Sequence, residues 1–195
     1  VVTAQLHRCL NQFVFAPTMP LHIYDYGAGQ GLSTLAVLQA FEQLPDDQTL
    51  WDVRNILQMD PSQVALERAA ALAKCKVEGV NVWSQCGYIS QAQPLLSDRS
   101  AVHVHVFYNA LDVPGFQYHH MIGDALAAPG LHLFVAVSND RAVSGGSPQV
   151  ENAHRMLHNS CTQGNNELLS CSGLARFQCN GAMSAISFVT FMKVN

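Results

Sequence analysis

LHIYDYGAGQGLST, residues 21–34, decides how the rest of the chain is read. The apolar run through Ile23 and Tyr24 predicts a short buried strand that ends near Asp25, after which Gly27, Gly29 and Gly31 alternate ahead of an apolar-periodic segment. That order is strand, glycine loop, helix. Glycine lacks a Cβ and accepts positive φ, so such a loop lets a ligand approach the main chain, while the helix behind it offers unpaired N–H groups and a partial positive charge. A polar or anionic group is expected there.

Spacing separates the ligands. A dinucleotide fingerprint needs a glycine three residues after its second one, but after Gly27 and Gly29 that place holds Leu32. A nucleotide-triphosphate loop needs Gly-Lys-Ser/Thr, and no lysine precedes Lys74. The run Asp25-Tyr26-Gly27-Ala28-Gly29-Gln30-Gly31 resembles motif I of the class I S-adenosylmethionine (SAM) dependent methyltransferases: an acidic residue, any residue, then three alternating glycines. The resemblance implies a methyl transfer from SAM to a nucleophile. It would place Gly27, Ala28 and Gly29 along the methionine and ribose, with Asp25 bonded to the loop's own amides or, through water, to the cofactor's amino group.

Outward from this loop the chain alternates strands and helices. A helix is expected within residues 1–20, from Leu6, Leu10, Phe13 and Val14, packing on the sheet before a strand at 21–26. Helices at 31–43, 62–74, 116–128 and 147–160 and strands at 53–59, 80–83, 102–108 and 131–137 follow from periodicity and from breakers such as Pro45, Pro61 and Pro129. Residues 88–100 are ambiguous around Pro94, and Ala142 to Ser147 reads as a flexible loop. Two β-like stretches, 174–179 and 182–194, meet at Asn180-Gly181, a strong hairpin signal. The expected fold is a three-layer α/β Rossmann-like domain over residues 1–195. Its mainly parallel seven-stranded sheet has the order 3-2-1-4-5-7-6 with strand seven antiparallel, as the resembled sheet ends.

Ligands in such sheets bind beyond the carboxyl ends of the strands, where strand order reverses. Asp60 closes the second strand there, and the resemblance makes it the acid that grips the ribose; as a plain reading, Asp60 or Ser62 only caps the next helix. With a glycine loop one strand upstream, the ribose role is favoured. Gln85, in the turn expected after the third strand, is the candidate for adenine. Asn109 follows the fourth strand where the resembled fold places the motif beside the acceptor, but neither residue after it is proline, unlike the amino-methylating nucleic-acid enzymes. No catalytic residue is assigned, because aligning donor and acceptor supplies much of such a barrier.

Histidines give weaker signals. His103 and His105 share one strand face and His154, His158 and Cys161 one helix face, but neither set has the spacing of a common metal site, and structural roles are expected. His119 and His120 are candidates for a general base or for plain solvent exposure.

Totals set outer bounds. The 195 residues are 49% hydrophobic and only 12% charged, against about 25% in an average domain, and the net charge is −4. No basic footprint for nucleic acid is present in that balance, so a small molecule or protein side chain is favoured over RNA as acceptor. Six scattered cysteines predict reduced and mostly buried thiols. With no apolar run of about 20 residues and no signal-peptide pattern, a cytoplasmic placement is expected. The Val-Val start suggests a fragment, a processed product or a domain of a longer protein, and leaves a noncatalytic binding or assembly module as the alternative function.

Overall fold

The structure is a computed structural model that describes residues 2–10, 18–43, 50–87, 98–140, 146–164, 166–178 and 184–195. Its elements run α1 (Val2–Leu10), β1 (Thr18–Tyr26), α2 (Leu32–Glu42), β2 (Leu50–Asp60), α3 (Gln63–Lys76), β3 (Asn81–Cys86), β4 (Val102–Tyr108), α4 (Tyr118–Leu126), β5 (Gly130–Asn139), α5 (Gly146–Thr162), β6 (Asn166–Cys171), β7 (Ala175–Gln178) and β8 (Ser184–Val194). The strands form one sheet in the order β3-β2-β1-β4-β5-β8-β6, with β7 also on β8. β1 through β5 are mutually parallel where they pair, and β8 runs antiparallel to β5. This is the expected Rossmann-like order, with one strand more than expected.

The extra strand comes from a break in the sixth position. β6 pairs Val194 to Thr190 of β8 and β7 pairs Ser187 to Ser184, so the two pieces form one interrupted edge. Ser172 bridges the gap: its N–H donates to the Val189 carbonyl at 2.9 Å and its hydroxyl accepts from the Val189 N–H at 3.0 Å. The polar text of β6 conceals it from a search for apolar alternation, whereas β7 corresponds to the expected stretch at 174–179. Asn180-Gly181 lies outside the described residues, as do 141–145 of the expected loop and most of 88–100.

Two cores sandwich the sheet, and the two-residue period of the strands sorts them. Leu21 and Ile23 of β1 and Val104 and Val106 of β4 point toward α1, α2 and α3; Tyr24, Tyr26 and Phe107 point toward α4 and α5. The helix within 1–20 packs as expected: Leu6, Cys9 and Leu10 of α1 are buried with Val189 and Phe191 of β8, and the Ser187 hydroxyl donates to Gln5 Oε1 at 2.6 Å.

His103 and His105 share the Tyr24 face and are fully buried there, beside His132 of β5. Their protonation follows from their partners. His132 Nε2 lies 2.9 Å from the Ala128 carbonyl, which only accepts, so Nε2 carries the hydrogen and Nδ1 accepts from His105 Nε2 at 3.1 Å. His105 Nδ1 then accepts from the Tyr26 hydroxyl at 3.1 Å. In the same way His103 donates to the Asp98 carbonyl at 2.8 Å and accepts from the Tyr24 hydroxyl at 3.0 Å. Burial pushes all three imidazoles below the ordinary histidine value, His132 to about 4; repulsion from the neighbouring histidines adds to it at His105 and His132, and repulsion from His22 at His103. They are neutral structural groups, and no cluster of three or more metal-ligating side chains occurs among the described residues.

Several boundaries move. β3 extends through Ser84, Gln85 and Cys86, so Gln85 is a strand residue opposite Met59, not a turn residue. Ser147 is no cap: α5 begins at Gly146, and the Ser147 hydroxyl instead donates to Asp140 Oδ1 at 2.5 Å. The cysteines are less buried than expected; all five described ones are free, yet only Cys9 is buried and Cys75, Cys86 and Cys171 are exposed. Cys75 lies late in α3, and Cys86 and Cys171 end edge strands, positions that a count of cysteines does not disclose.

Candidate functional site

The glycine loop joins β1 to α2 at the carboxyl edge of the sheet, and its conformation needs glycine at three places. Gly27, Gly29 and Gly31 have φ of 81°, 52° and 87°, in the left-handed region. Gly31 is also sterically committed, since a Cβ there would lie 2.9 Å from the Ala69 Cα of α3. Gly29 is the opposite case: among the described residues a Cβ there would meet nothing within 4 Å, so the loop's crest is clear of them.

The loop's amides turn inward. Gly27 and Ala28 N–H both donate to the Met59 carbonyl, at 2.8 and 2.9 Å, and Gly31 N–H donates to the Ala28 carbonyl at 2.8 Å. Gly29 N–H donates to Asp60 Oδ2 at 3.0 Å, while Asp60 Oδ1 accepts from the Ser62 N–H at 2.8 Å. Asp60 is half-buried and each of its oxygens retains an acceptor lone pair. The capping reading is seen in part: the Asp60 carboxylate pins the turn into α3, where the Ser62 side chain accepts from the Ala65 N–H, and it also faces the loop.

Asp25 lies beneath the loop, fully buried. Its Oδ2 accepts from the Ser33 hydroxyl at 2.5 Å, the Thr34 hydroxyl at 2.6 Å and the Thr34 N–H at 3.1 Å, so it binds the first turn of α2 and not the loop's own amides. α2 has no side-chain cap at Gly31, and Asp25 supplies from β1 the acceptor for its first turn. Burial raises the Asp25 carboxyl and those three hydrogen bonds pull it back; Asp60 raises it further. Its Oδ1 is buried with no hydrogen-bond partner. Gln58 of β2 braces the group by donating to the Thr34 hydroxyl at 3.2 Å.

Ser33, Thr34 and Gln58 were not singled out in the sequence. Their signals are slight: two adjacent hydroxyls one residue beyond the third glycine, and a second amide near the end of a strand that already carries Asn55.

Asn109 follows β4 on the strand next to β1. It is exposed, has φ of 52° and donates its N–H to the Val137 carbonyl at 2.7 Å. A non-glycine residue in that region is uncommon, and asparagine tolerates it best. Beside it Tyr108 is 45% exposed and borders a cavity of ≈ 40 Å³ with Thr3, Ala36, Val37 and Val137. Gln85 stands on the same edge two strands from β1, and Cys86 is the β3 residue directly paired with Asp60. The structure thus joins the loop to Asp60 by a short contact, ties Asp25 to the first turn of α2 beneath it, and sets Gln85 and Asn109 on either flank. His119 and His120 are exposed on α4, and His119 stacks on Tyr118 with ring centroids 3.9 Å apart.

The sequence matches no protein-family model and no curated protein. Solved structures do match the fold. A proposed methyltransferase from Bacillus halodurans C-125 aligns over 97% of this chain and 98% of its own, with TM-score 0.53 and 9% identity. The precorrin-6y C5,15-methyltransferase from Geobacter metallireducens GS-15 aligns over 96% and 87%, with TM-score 0.52 and 15% identity. The [4+2]-cyclase SpnF aligns over 99% and 81%, with TM-score 0.54 and 13% identity. The architecture is that of the class I SAM-dependent methyltransferases, and SpnF marks that a chain of this fold can carry another activity.

Proposed function

We propose that the chain is a SAM-dependent methyltransferase whose cofactor occupies the carboxyl edge of the sheet over Gly29. The observation that carries this reading is the pairing of an unobstructed Gly29 crest with a carboxylate, Asp60, that is bonded to the same glycine and retains acceptor capacity. A ribose presents two vicinal hydroxyl donors, which a carboxylate with one free lone pair on each oxygen suits. Asp25, Ser33, Thr34 and Gln58 keep the loop and α2 in register, and Oδ1 of Asp25 and Oε1 of Gln58 are buried acceptors left over among the described residues, the first of them assigned to the cofactor's amino group. Gln85 is assigned to the adenine side and Asn109 to the acceptor side. SAM, when bound, supplies an electrophilic methyl on a sulfonium; the chain's contribution is to hold it and the acceptor in line away from water.

The acceptor is assigned to small molecules or protein side chains over RNA, on the net charge of −4 and the small apolar cavity beside Tyr108. No helix among the described residues is long and apolar enough to cross a membrane. A cytoplasmic location and a single domain over 1–195 belong to the same proposal.

Calorimetric titration with S-adenosylhomocysteine tests it. Saturable one-to-one binding that Asp60→Ala weakens by about tenfold or more supports the assignment, about 1.4 kcal/mol being tenfold. A folded protein that takes up no S-adenosylhomocysteine supports the second reading, a noncatalytic module. That reading is favoured by the inward-facing Gly27, Ala28 and Gly31 amides, which leave fewer donors for a ligand.

A further inference from the structure

The far edge of the sheet carries a second chemical grouping that the cofactor site does not use. Cys171 is the last residue of β6, and the turn after it, with Gly173 at φ 67°, folds the backbone back over the sulfur. Three groups converge on that exposed Sγ: the Gly173 N–H at 3.2 Å, His154 Nε2 at 3.5 Å and the Thr190 hydroxyl at 3.6 Å. His154 is itself oriented, with Phe188 against its ring edge-to-face at 5.3 Å and His158 stacked at 6.4 Å. A surface cavity of ≈ 280 Å³ opens along this histidine, lined by Glu151, Arg155, His158 and Leu174. Its one carboxylate is occupied, since Glu151 forms an ion pair with Arg176. The groove is thereby left with Arg155 and two histidines for an anionic visitor.

Cys75 and Cys86 are the natural comparison. Among the described residues Cys86 Sγ pairs with the Pro61 carbonyl, an acceptor that cannot stabilise a thiolate. At Cys171, burial pushes the thiol up, but the hydrogen bonds from His154, Gly173 and Thr190 together outweigh it and hold the thiol below its ordinary value. The charge on Cys171 in turn raises the thiols of Cys161 on α5 and Cys9 on α1, and His154 is the titratable group that acts on Cys171 itself.

We propose that Cys171 and His154 form a thiol-exchange site that takes anionic low-molecular-weight disulfides. His154 Nε2 accepts the thiol proton; Sγ forms a bond to one sulfur of the disulfide as the old S–S bond breaks. The electron pair leaves on the second sulfur, which takes the proton from His154. One Cys171 thiol is oxidised, one half of the disulfide is reduced, and no further reagent is consumed. Arg155 and His158 hold the visitor's carboxylates. The site rests on no assumption about SAM.

The experiment treats the full chain with oxidised glutathione and follows each cysteine by peptide mass spectrometry from pH 5 to 9. Cys171 is expected to form the mixed disulfide about tenfold faster than Cys75 or Cys86, with a rate midpoint below the free-thiol value of about 8.5. His154→Gln is expected to lower the Cys171 rate severalfold and move its midpoint upward, while Cys75 and Cys86 keep theirs. Equal or faster modification of Cys75 or Cys86, a wild-type midpoint at or above that of a free thiol, or a folded His154→Gln protein with an unmoved midpoint overturns the proposal. The wild-type profile decides the matter even if the variant fails to fold.

Discussion

Gly29 and Gly31 sit two residues apart with similar backbones, and they should fail in different ways. Gly31→Ala forces a Cβ to 2.9 Å from the Ala69 Cα at a φ of 87°, so it is expected to cost roughly 1–3 kcal/mol of stability, read as a lower urea midpoint. Gly29→Ala meets no atom and pays only the left-handed backbone, about 1–2 kcal/mol. Its methyl projects into the space assigned to the ligand. Calorimetry should therefore find that Gly29→Ala loses S-adenosylhomocysteine binding by more than its stability change explains; retained affinity contradicts the placement. The alternation of glycines was legible, but their separate duties were not: one faces a helix that is distant in sequence and the other faces nothing. Asp25 is a similar case, because the spacing marked it while the groups that hold it, Ser33, Thr34 and Gln58, become neighbours only once α2 and β2 pack.

At the scale of elements, β4 was the clearest strand in the text, and its neighbours explain what its histidines do. His103, His105 and His132 lie on adjacent strands and are neutral in the folded chain. Unfolded histidines bind protons near pH 6.5, while the folded ones resist to lower pH, His103 less clearly than His105, and His132 until about 4. The unfolded state therefore holds more protons in that window, and stability must fall as pH drops below about 6.5, by about 1.4 kcal/mol per pH unit for each histidine. Urea midpoints at pH 7.5 and 5.5 check this; equal midpoints would show that the ladder is not neutral. The broken edge made of β6 and β7 was the least legible element, since its pairing is decided by β8 and by the Ser172 bridge.

For the whole molecule, strand order was readable because alternation of strands and helices allows few right-handed layouts. What occupies the carboxyl edge is a property of the assembled sheet. A ligand that binds only the folded state raises stability by about 2.7 kcal/mol at a hundredfold excess over Kd. For a chain of this size that corresponds to a melting shift of roughly 5–10 °C, at 2–4 °C per kcal/mol. S-adenosylhomocysteine should produce it and NAD(H) should not; the reverse pattern would revive the dinucleotide reading that Leu32 argues against.

The contact between α1 and β8 spans nearly the full described length, with Gln5 held by Ser187 across 182 positions. During synthesis, the first helix emerges long before the strand that receives its apolar side exists. Leu6, Cys9 and Leu10 stay without Val189 and Phe191, in water or on a chaperone, until β8 has been translated. Docking of α1 therefore trails its own synthesis by the 182 positions that separate Gln5 from Ser187, and of the two partners its apolar side waits the longer to be covered.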